Sequence, residues 1–411
     1  MVPASAITAA RDCSVILTRA GVSHVIIIGG GAIGSSIAYH LLADPGFSGK
    51  VTVIERDPSY SRASSALSAS SIRQQFSTPI NIQIGLYGIA FLREASRLLA
   101  VTGQEPPLLG LVEPGYLFLA SDDGAAILRE NHQVQVREHA QIDLLEPSKL
   151  GARFPWLNVS DLALAAHGVR GEGWFDGYSL MQALRHKAVS LGARYLHAAA
   201  DGLNIRGGKV TAVRLADGQL LAADWVVNAA GPWARAVAAW AQINLPVFAR
   251  RRTVFVFETA ARLAHCPLVI DPSGVWFRPE QQRFICGVSP HPSNDPDEPP
   301  LEPERGMFDE RIWPVLAHRV PGFEALRQTR TWAGYYEMNT FDANGIVGPH
   351  PLLSNFIFAN GFSGHGIQQS PAVGRGISEL IVAGAYRTLD LSTLDFGRLL
   401  SGRPLVERNV V

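Results

Sequence analysis

The strongest constraint on this chain is a short apolar run, SHVIII from Ser23 to Ile28, that passes without a break into Gly29, Gly30 and Gly31. A continuous β-branched run is the pattern of a strand covered on both faces in a parallel sheet. Ile33, Ile37 and Leu41 then recur at helical spacing, and KVTVIE from Lys50 to Glu55 reads as a second strand. Residues 23–55 are therefore expected to form a βαβ unit. Gly29-x-Gly31-x-x-Gly34 leaves the first strand and opens the helix, and Glu55 ends the next strand 24 residues after Gly31. In that setting the glycines let a pyrophosphate approach the helix N-terminus, while the carboxylate accepts ribose hydroxyls. The motif predicts a dinucleotide site without choosing between FAD and NAD, because both present adenosine diphosphate to the same turn.

Length and charge narrow the class. At 411 residues the chain has room for two domains, and 36 basic residues balance 36 acidic ones, so no basic stripe is available to track nucleic acid. Cys13, Cys266 and Cys286 show neither pairing nor a histidine at ligand spacing, which predicts no disulfide framework, no metal site and a reducing, cytoplasmic compartment. Apolar stretches such as ELIVAGAY fall short of the roughly 20 residues that a membrane helix needs. Residues 1–22 lack a continuous apolar core and read as a leader.

Further along, Thr78 and Pro79 can cap and start a helix with Ile84, Tyr87, Phe91, Ala95 and Leu98 on one face. GKVTAVRLADGQLLAADWVVNAAG reads as a β-meander returning to a buried strand, Trp225 to Ala229. RRTVFVFE, GVWFRPE and RFICGVS alternate like antiparallel strands, interrupted by the acidic, proline-rich SNDPDEPPLEPER. Arg250 to Arg252 reads as a solvated strand entry. Near the C-terminus NGFSGHGIQQ repeats the glycine-turn-to-helix pattern; its amides, with His365, can stabilise negative charge on a reduced flavin ring.

Taken together, VIIIGGGAIGSSIAYHL, ASSALSASSIRQQFS, GWFDGYSLMQAL, VVNAAGPWA and the stretch from WAGYYEMN to FSGHGIQQSP resemble the D-amino-acid-oxidase-like flavoproteins, near their glycine oxidase, sarcosine oxidase and sarcosine dehydrogenase branch. The resemblance runs from about residue 23 to 385. It implies an α/β (α+β) chain: a Rossmann-like FAD-binding domain over 23–110, 150–245 and 331–411, with an inserted, mostly antiparallel β substrate domain over 111–149 and 246–330. It places Gly29, Gly31, Ile33 and Gly34 at the pyrophosphate turn, Glu55 on the ribose and Arg56 beside the adenine. Ser64, Ser65 and Ala66 fall on the loop passing the flavin, Ala200 at the adenine, and Ala230, Gly231 and Trp233 on the ADP half. Gly334, Gly364, His365, Gly366, Ile367 and Gln368 fall around the flavin ring. The activity implied is oxidation of the C–N bond of an amino acid or N-alkyl amino acid, by hydride transfer to flavin N5 and hydrolysis of the imine. Oxidation of a 2-hydroxy acid and a flavin-binding role in respiratory-complex assembly are the alternatives.

Four departures from the family pattern carry expectations. Arg73 and Gln368 stand where sarcosine oxidase holds its substrate carboxylate with an arginine and a lysine, so half of that charge clamp is retained. Ile285 stands at the place of the lysine that activates dioxygen, which favours a dehydrogenase passing electrons to a protein or quinone acceptor. Glu337 stands where relatives have an aromatic and is expected to recognise a substrate amine or to pair with Arg278 or Arg330; Tyr336, Trp276 and Phe277 are candidate walls. Flavin-tethered relatives carry histidine or cysteine at the places of Ala66 and Tyr335, neither of which can form the link, so FAD is expected to bind noncovalently. Acid precipitation of the yellow protein should leave the flavin in the supernatant; flavin that pellets with the chain refutes this.

Overall fold

A parallel sheet is organised around the strand β1 (His24–Ile28), in which Val25, Ile26 and Ile27 are fully buried. Each such side chain contributes about 1.5–3 kcal/mol by leaving water. The computed structural model describes residues 23–408, so the leader expected over 1–22, with Cys13, lies outside the described residues. β1 pairs in parallel with β2 (Lys50–Glu55) on one side and with Trp225–Asn228 on the other. Arg194–His197 extends the sheet beyond β2; Leu353–Asn360 and then the antiparallel edge Ile346–His350 extend it the other way. The helices α1 (Ala32–Ala43), Gly177–Ser190 and Gly366–Ala383 cover one face. The antiparallel meander Ala200–Arg206, Lys209–Leu215 and Leu220–Ala222 contributes to the core on the other.

The second sheet has eight strands, in the order Arg327–Asn339, Val247–Glu258, Arg283–Gly287, Trp276–Glu280, Leu268–Ile270, Tyr116–Ala120, Leu164–Gly168 and Ile142–Leu145. All neighbours are antiparallel except Leu268–Ile270 with Tyr116–Ala120. Phe257, Phe277, Phe284 and Phe323 form its aromatic core, with ring centroids 5.0–6.4 Å apart. The fold is thus the mixed α/β architecture expected.

Two segments join the other sheet from the one their sequence suggested. Leu164–Gly168, expected with the FAD-binding domain, pairs instead with Tyr116–Ala120 and Ile142–Leu145. Its LAAHG sequence lacks the β-branched residues that mark strands. Nearby, Asp161 is held by Arg319, which also bonds Asp271, at 2.8 and 2.7 Å, so this segment is tied to the second sheet by a buried guanidinium. Likewise 331–339 belong to the long strand Arg327–Asn339, whose register with Val247–Glu258 runs from Glu258 opposite Arg327 to Val247 opposite Asn339. Thr78 also differs from expectation: it precedes the helix Pro79–Leu98, but its hydroxyl donates to Glu407 at 2.9 Å rather than capping the helix.

α1 and Gly366–Ala383 pack so closely that a Cβ on Gly374 would lie 2.2 Å from Ser36 Oγ and 2.7 Å from the Ser36 carbonyl carbon. Gly374→Val should therefore cost about 1–3 kcal/mol through forced separation of the helices. A lower denaturant midpoint at unchanged slope is the expected result, and a wild-type midpoint would contradict it.

Candidate active site

The glycine turn is set by backbone contacts. Gly29 has φ +103°, and a Cβ there would lie 2.3 Å from the Ala229 carbonyl oxygen; one on Gly34 would lie 1.9 Å from the Gly29 oxygen. Only glycine allows the turn to touch the neighbouring strand and the helix to touch the turn. A Cβ on Gly31, by contrast, would meet only Ser65 Oγ, at 3.3 Å. No acidic residue occupies the first turn of α1 and its N-cap makes no side-chain bond; the Ala32 amide donates to Ser65 Oγ at 3.1 Å, and the positive end of the helix faces the groove. Glu55 accepts from the Gly30 and Asp57 amides, both at 2.8 Å, which fixes its carboxylate at the end of β2.

These groups line a groove of about 510 Å³ that also takes in Ile33, Arg56, Ser64, Ser65, Ala200, Ala230, Gly231 and Trp233. Arg56 lies over the Trp233 ring, its guanidinium carbon 3.8 Å from the centroid. Tyr60 and Arg62 complete the wall; they stand in a loop whose sequence carried no signal beyond its serines. Gly34 and Ala66 lie outside the lining: Gly34 lets the helix approach from behind, and Ala66 packs against the hydrophobic core.

A second chamber, of about 120 Å³, continues from the groove; Ile33, Ser64, Ser65 and Glu337 border both. Its walls are Tyr335 and Tyr336 with Gly334, the neighbouring Arg252 to Val254, Trp276, the loop Ser68 to Ser71, and Gly364, Gly366 and Ile367 at the start of the C-terminal helix. Gly364, at φ +93°, is required because a Cβ would strike the Tyr336 ring at 2.4 Å. Trp276 faces the chamber and Phe277 faces the aromatic core, since successive residues of a strand point to opposite faces.

The charged residues fall differently from expectation. Arg73 does not line the chamber: only 2% exposed, its Nη2 is 3.0 Å from His365 Nε2 and its guanidinium lies 4.5 Å from the Phe76 centroid. Burial and the Arg73 charge hold the His365 pKa well below the ordinary range, so His365 is a neutral acceptor and supplies no positive charge of its own. Gln368 also faces away from the chamber, its Oε1 accepting from the Arg73 amide at 2.9 Å. Among the described residues Glu337 pairs with neither Arg278, which bonds Glu280 and the Ala69 carbonyl, nor any other cation. Its Oε2 accepts from the Gly361 amide at 3.1 Å, and burial pushes its pKa up to about 8 against the pull of the Gly361 and Phe362 amides. Arg252, read from the sequence as part of a solvated strand entry, is instead 12% exposed, ion-paired with Asp295 at 2.9 Å and part of the chamber wall. Alternation places Arg250 and Arg252 on the same face of the strand, so the run of three arginines does not reveal which of them reaches the chamber.

The residues fit FAD. The groove has a helix N-terminus free of acidic residues, a fixed carboxylate and a glycine cradle for the ADP half, and the buried Ser64 Oγ, on the border of both cavities, has no partner among the described residues. Neither lining includes a histidine or cysteine among the described residues, and burial raises the Cys266 and Cys286 thiols well out of the reactive range. Removing the Glu55 carboxylate deletes charge-assisted acceptance worth about 1.5–3 kcal/mol. Glu55→Ala should weaken FAD binding about 10-fold or more in a titration of apoprotein; wild-type affinity would remove Glu55 from the site.

Comparisons with known proteins agree with this geometry. A family model described as FAD dependent oxidoreductase (DAO) matches residues 24–380. FAD-dependent oxidoreductase domain-containing protein 1 of Xenopus laevis is 44% identical over 421 residues, covering 94% of this chain and 84% of that protein. Mitochondrial dimethylglycine dehydrogenase of Homo sapiens is 27% identical, over 92% of this chain and 44% of that protein. The crystal structure of L-proline dehydrogenase from P. horikoshii superposes with a TM-score of 0.80 at 26% identity, covering 93% of this chain and 99% of that one. A match across nearly the whole described chain, with a relative at this identity, places the protein in the DAO family of FAD-dependent oxidoreductases.

Proposed function

We propose that the protein oxidises the C–N bond of an amino acid or N-alkyl amino acid and passes the electrons to a carrier other than dioxygen. The observation that supports this most is the continuity of the dinucleotide groove with a small, aromatic-walled chamber through Ile33, Ser64, Ser65 and Glu337. The names of the similar proteins point the same way, since proline and dimethylglycine each carry an amine next to a carboxylate. When bound, FAD supplies a two-electron acceptor for the α-hydrogen of the substrate.

The chain's own residues do the rest. Tyr335, Tyr336 and Trp276 exclude water and hold the amine in a narrow orientation. The buried charge of Arg73, behind His365, together with the uncapped start of the helix Gly366–Ala383, gives this end of the site a positive potential. That potential lowers the pKa of the bound amine and favours the neutral form from which a hydride can leave. With its pKa near 8, Glu337 is mostly protonated at neutral pH and so does not trap the amine as ammonium. No strong side-chain base is required. Ile285 is buried in an apolar cluster with Val254, Val256 and Trp276, so its position supplies no lysine ammonium to a developing superoxide.

Mixing the anaerobic yellow protein with glycine, N-methylglycine or L-proline should bleach the flavin with at least one of them. Bleaching by 2-hydroxy acids alone would replace this reading by hydroxy-acid oxidation, and no bleaching by either class would overturn enzymatic C–N oxidation. In air, hydrogen peroxide should form far more slowly than an artificial acceptor is reduced; stoichiometric peroxide at the full turnover rate would contradict the dehydrogenase assignment.

A further inference from the structure

The three consecutive arginines of the strand Val247–Glu258 bind the acidic, proline-rich loop, yet each does so differently. Arg250 Nη1 donates to the Asp295 carbonyl, and Arg251 donates to the Pro300 carbonyl at 3.2 Å with Glu304 3.6 Å away. Arg252 takes the Asp295 carboxylate end-on: Nη1 donates to Oδ1 and Nη2 to Oδ2, both at 2.9 Å, while Nη1 also donates to the Arg251 carbonyl at 2.8 Å. Of the three, only Arg252 lines the chamber.

A guanidinium has five N–H donors. Two on Nη1 and one on Nη2 are used in the contacts above; the buried Nε has no partner among the described residues. What remains is Nε–H together with the second hydrogen of Nη2, the side-on fork that matches the two oxygens of a carboxylate. Leaving a buried charged donor without an acceptor is costly, so a fork kept in this state at a cavity wall has the character of a binding group. The guanidinium is immobilised by Asp295 on one edge and by Tyr336, whose ring centroid lies 5.2 Å from its central carbon. Among the described residues, the chamber lining carries only two charged side chains, Arg252 and Glu337. Arg73 cannot serve the same end without displacing His365.

We propose that Arg252 is the residue that selects carboxylate-bearing substrates, binding the carboxylate side-on through Nε and Nη2 while Asp295 holds the opposite edge. This rests on the small-molecule oxidation proposed above, but its test does not need turnover. Propionate, a carboxylate without an oxidisable amine, is titrated into the FAD-loaded protein while the flavin absorption spectrum is recorded, with propionamide as the neutral counterpart. The wild type should show a saturable spectral change with propionate and none with propionamide. Arg252→Gln should raise the propionate Kd about 10- to 100-fold. Arg252→Lys keeps a cation for Asp295 but loses the planar fork, and should weaken propionate comparably. If Arg252→Gln does not load flavin, Arg252→Lys decides the matter. Arg250→Gln, in the same strap but outside the chamber, should leave the propionate Kd within about twofold of wild type, as a general structural effect of the strap would not. Loaded Arg252 variants with wild-type propionate affinity, or a wild type blind to propionate, would overturn the proposal. Failure of C–N oxidation would be distinguishable, because propionate would still perturb the spectrum while no amine bleached it.

Discussion

The molecule depends on backbone touching backbone at the end of β1. Gly29 against the Ala229 carbonyl and Gly34 against the Gly29 carbonyl bring strand, turn and helix closer than any side chain would permit. That approach points the N-terminus of α1 into the groove, its Ala32 amide bonded to Ser65 Oγ, beside a Glu55 carboxylate fixed by two amide donors. The same economy recurs on the other side of α1, where Gly374 lets the C-terminal helix lie against Ser36. Two helices that begin at the site are thereby locked to each other, and the separation of their N-termini is set by the packing rather than by the loops between them.

The second sheet supplies the other half of the site through one strand pair. Arg327–Asn339 and Val247–Glu258 run side by side over their full lengths, so Tyr336 faces Arg250 and Gly334 faces Arg252 in the register. The chamber wall takes consecutive residues from both strands, Arg252 to Val254 and Gly334 to Glu337. The aromatic core beneath, built on Phe257, Phe277, Phe284 and Phe323, holds that wall rigid. Loops carry little of the chamber apart from Ser68 to Ser71 and the turn at Gly364.

Charge is arranged in layers. Arg73 and His365 form an inner pair that does not line the chamber. Arg252 and Glu337 stand on the wall itself, one tied to the acidic loop and the other to two amides of the Gly361 turn. The chamber wall thus carries one fixed cation and one carboxyl whose pKa burial raises, surrounded by aromatic surface.

The local features were legible in the sequence. A β-branched run entering Gly29-x-Gly31-x-x-Gly34, with Glu55 ending the next strand, dictates a βαβ unit and an ADP-shaped turn, because both follow from contacts between residues a few tens of positions apart. The resemblance of the whole chain added the family and its cofactor. Which sheet Leu164–Gly168 and Arg327–Asn339 join, and which arginine faces the chamber, depended on long-range strand pairing that no local pattern encodes. Arg73, Gln368 and His365 occupy the positions the motif marked, yet packing against Phe76 turned them to one another and away from the chamber. Residue types and spacing determined that the chain binds a dinucleotide. The tertiary structure decided what faces that ligand, because the direction of a side chain is set by the neighbours that compete for its contacts.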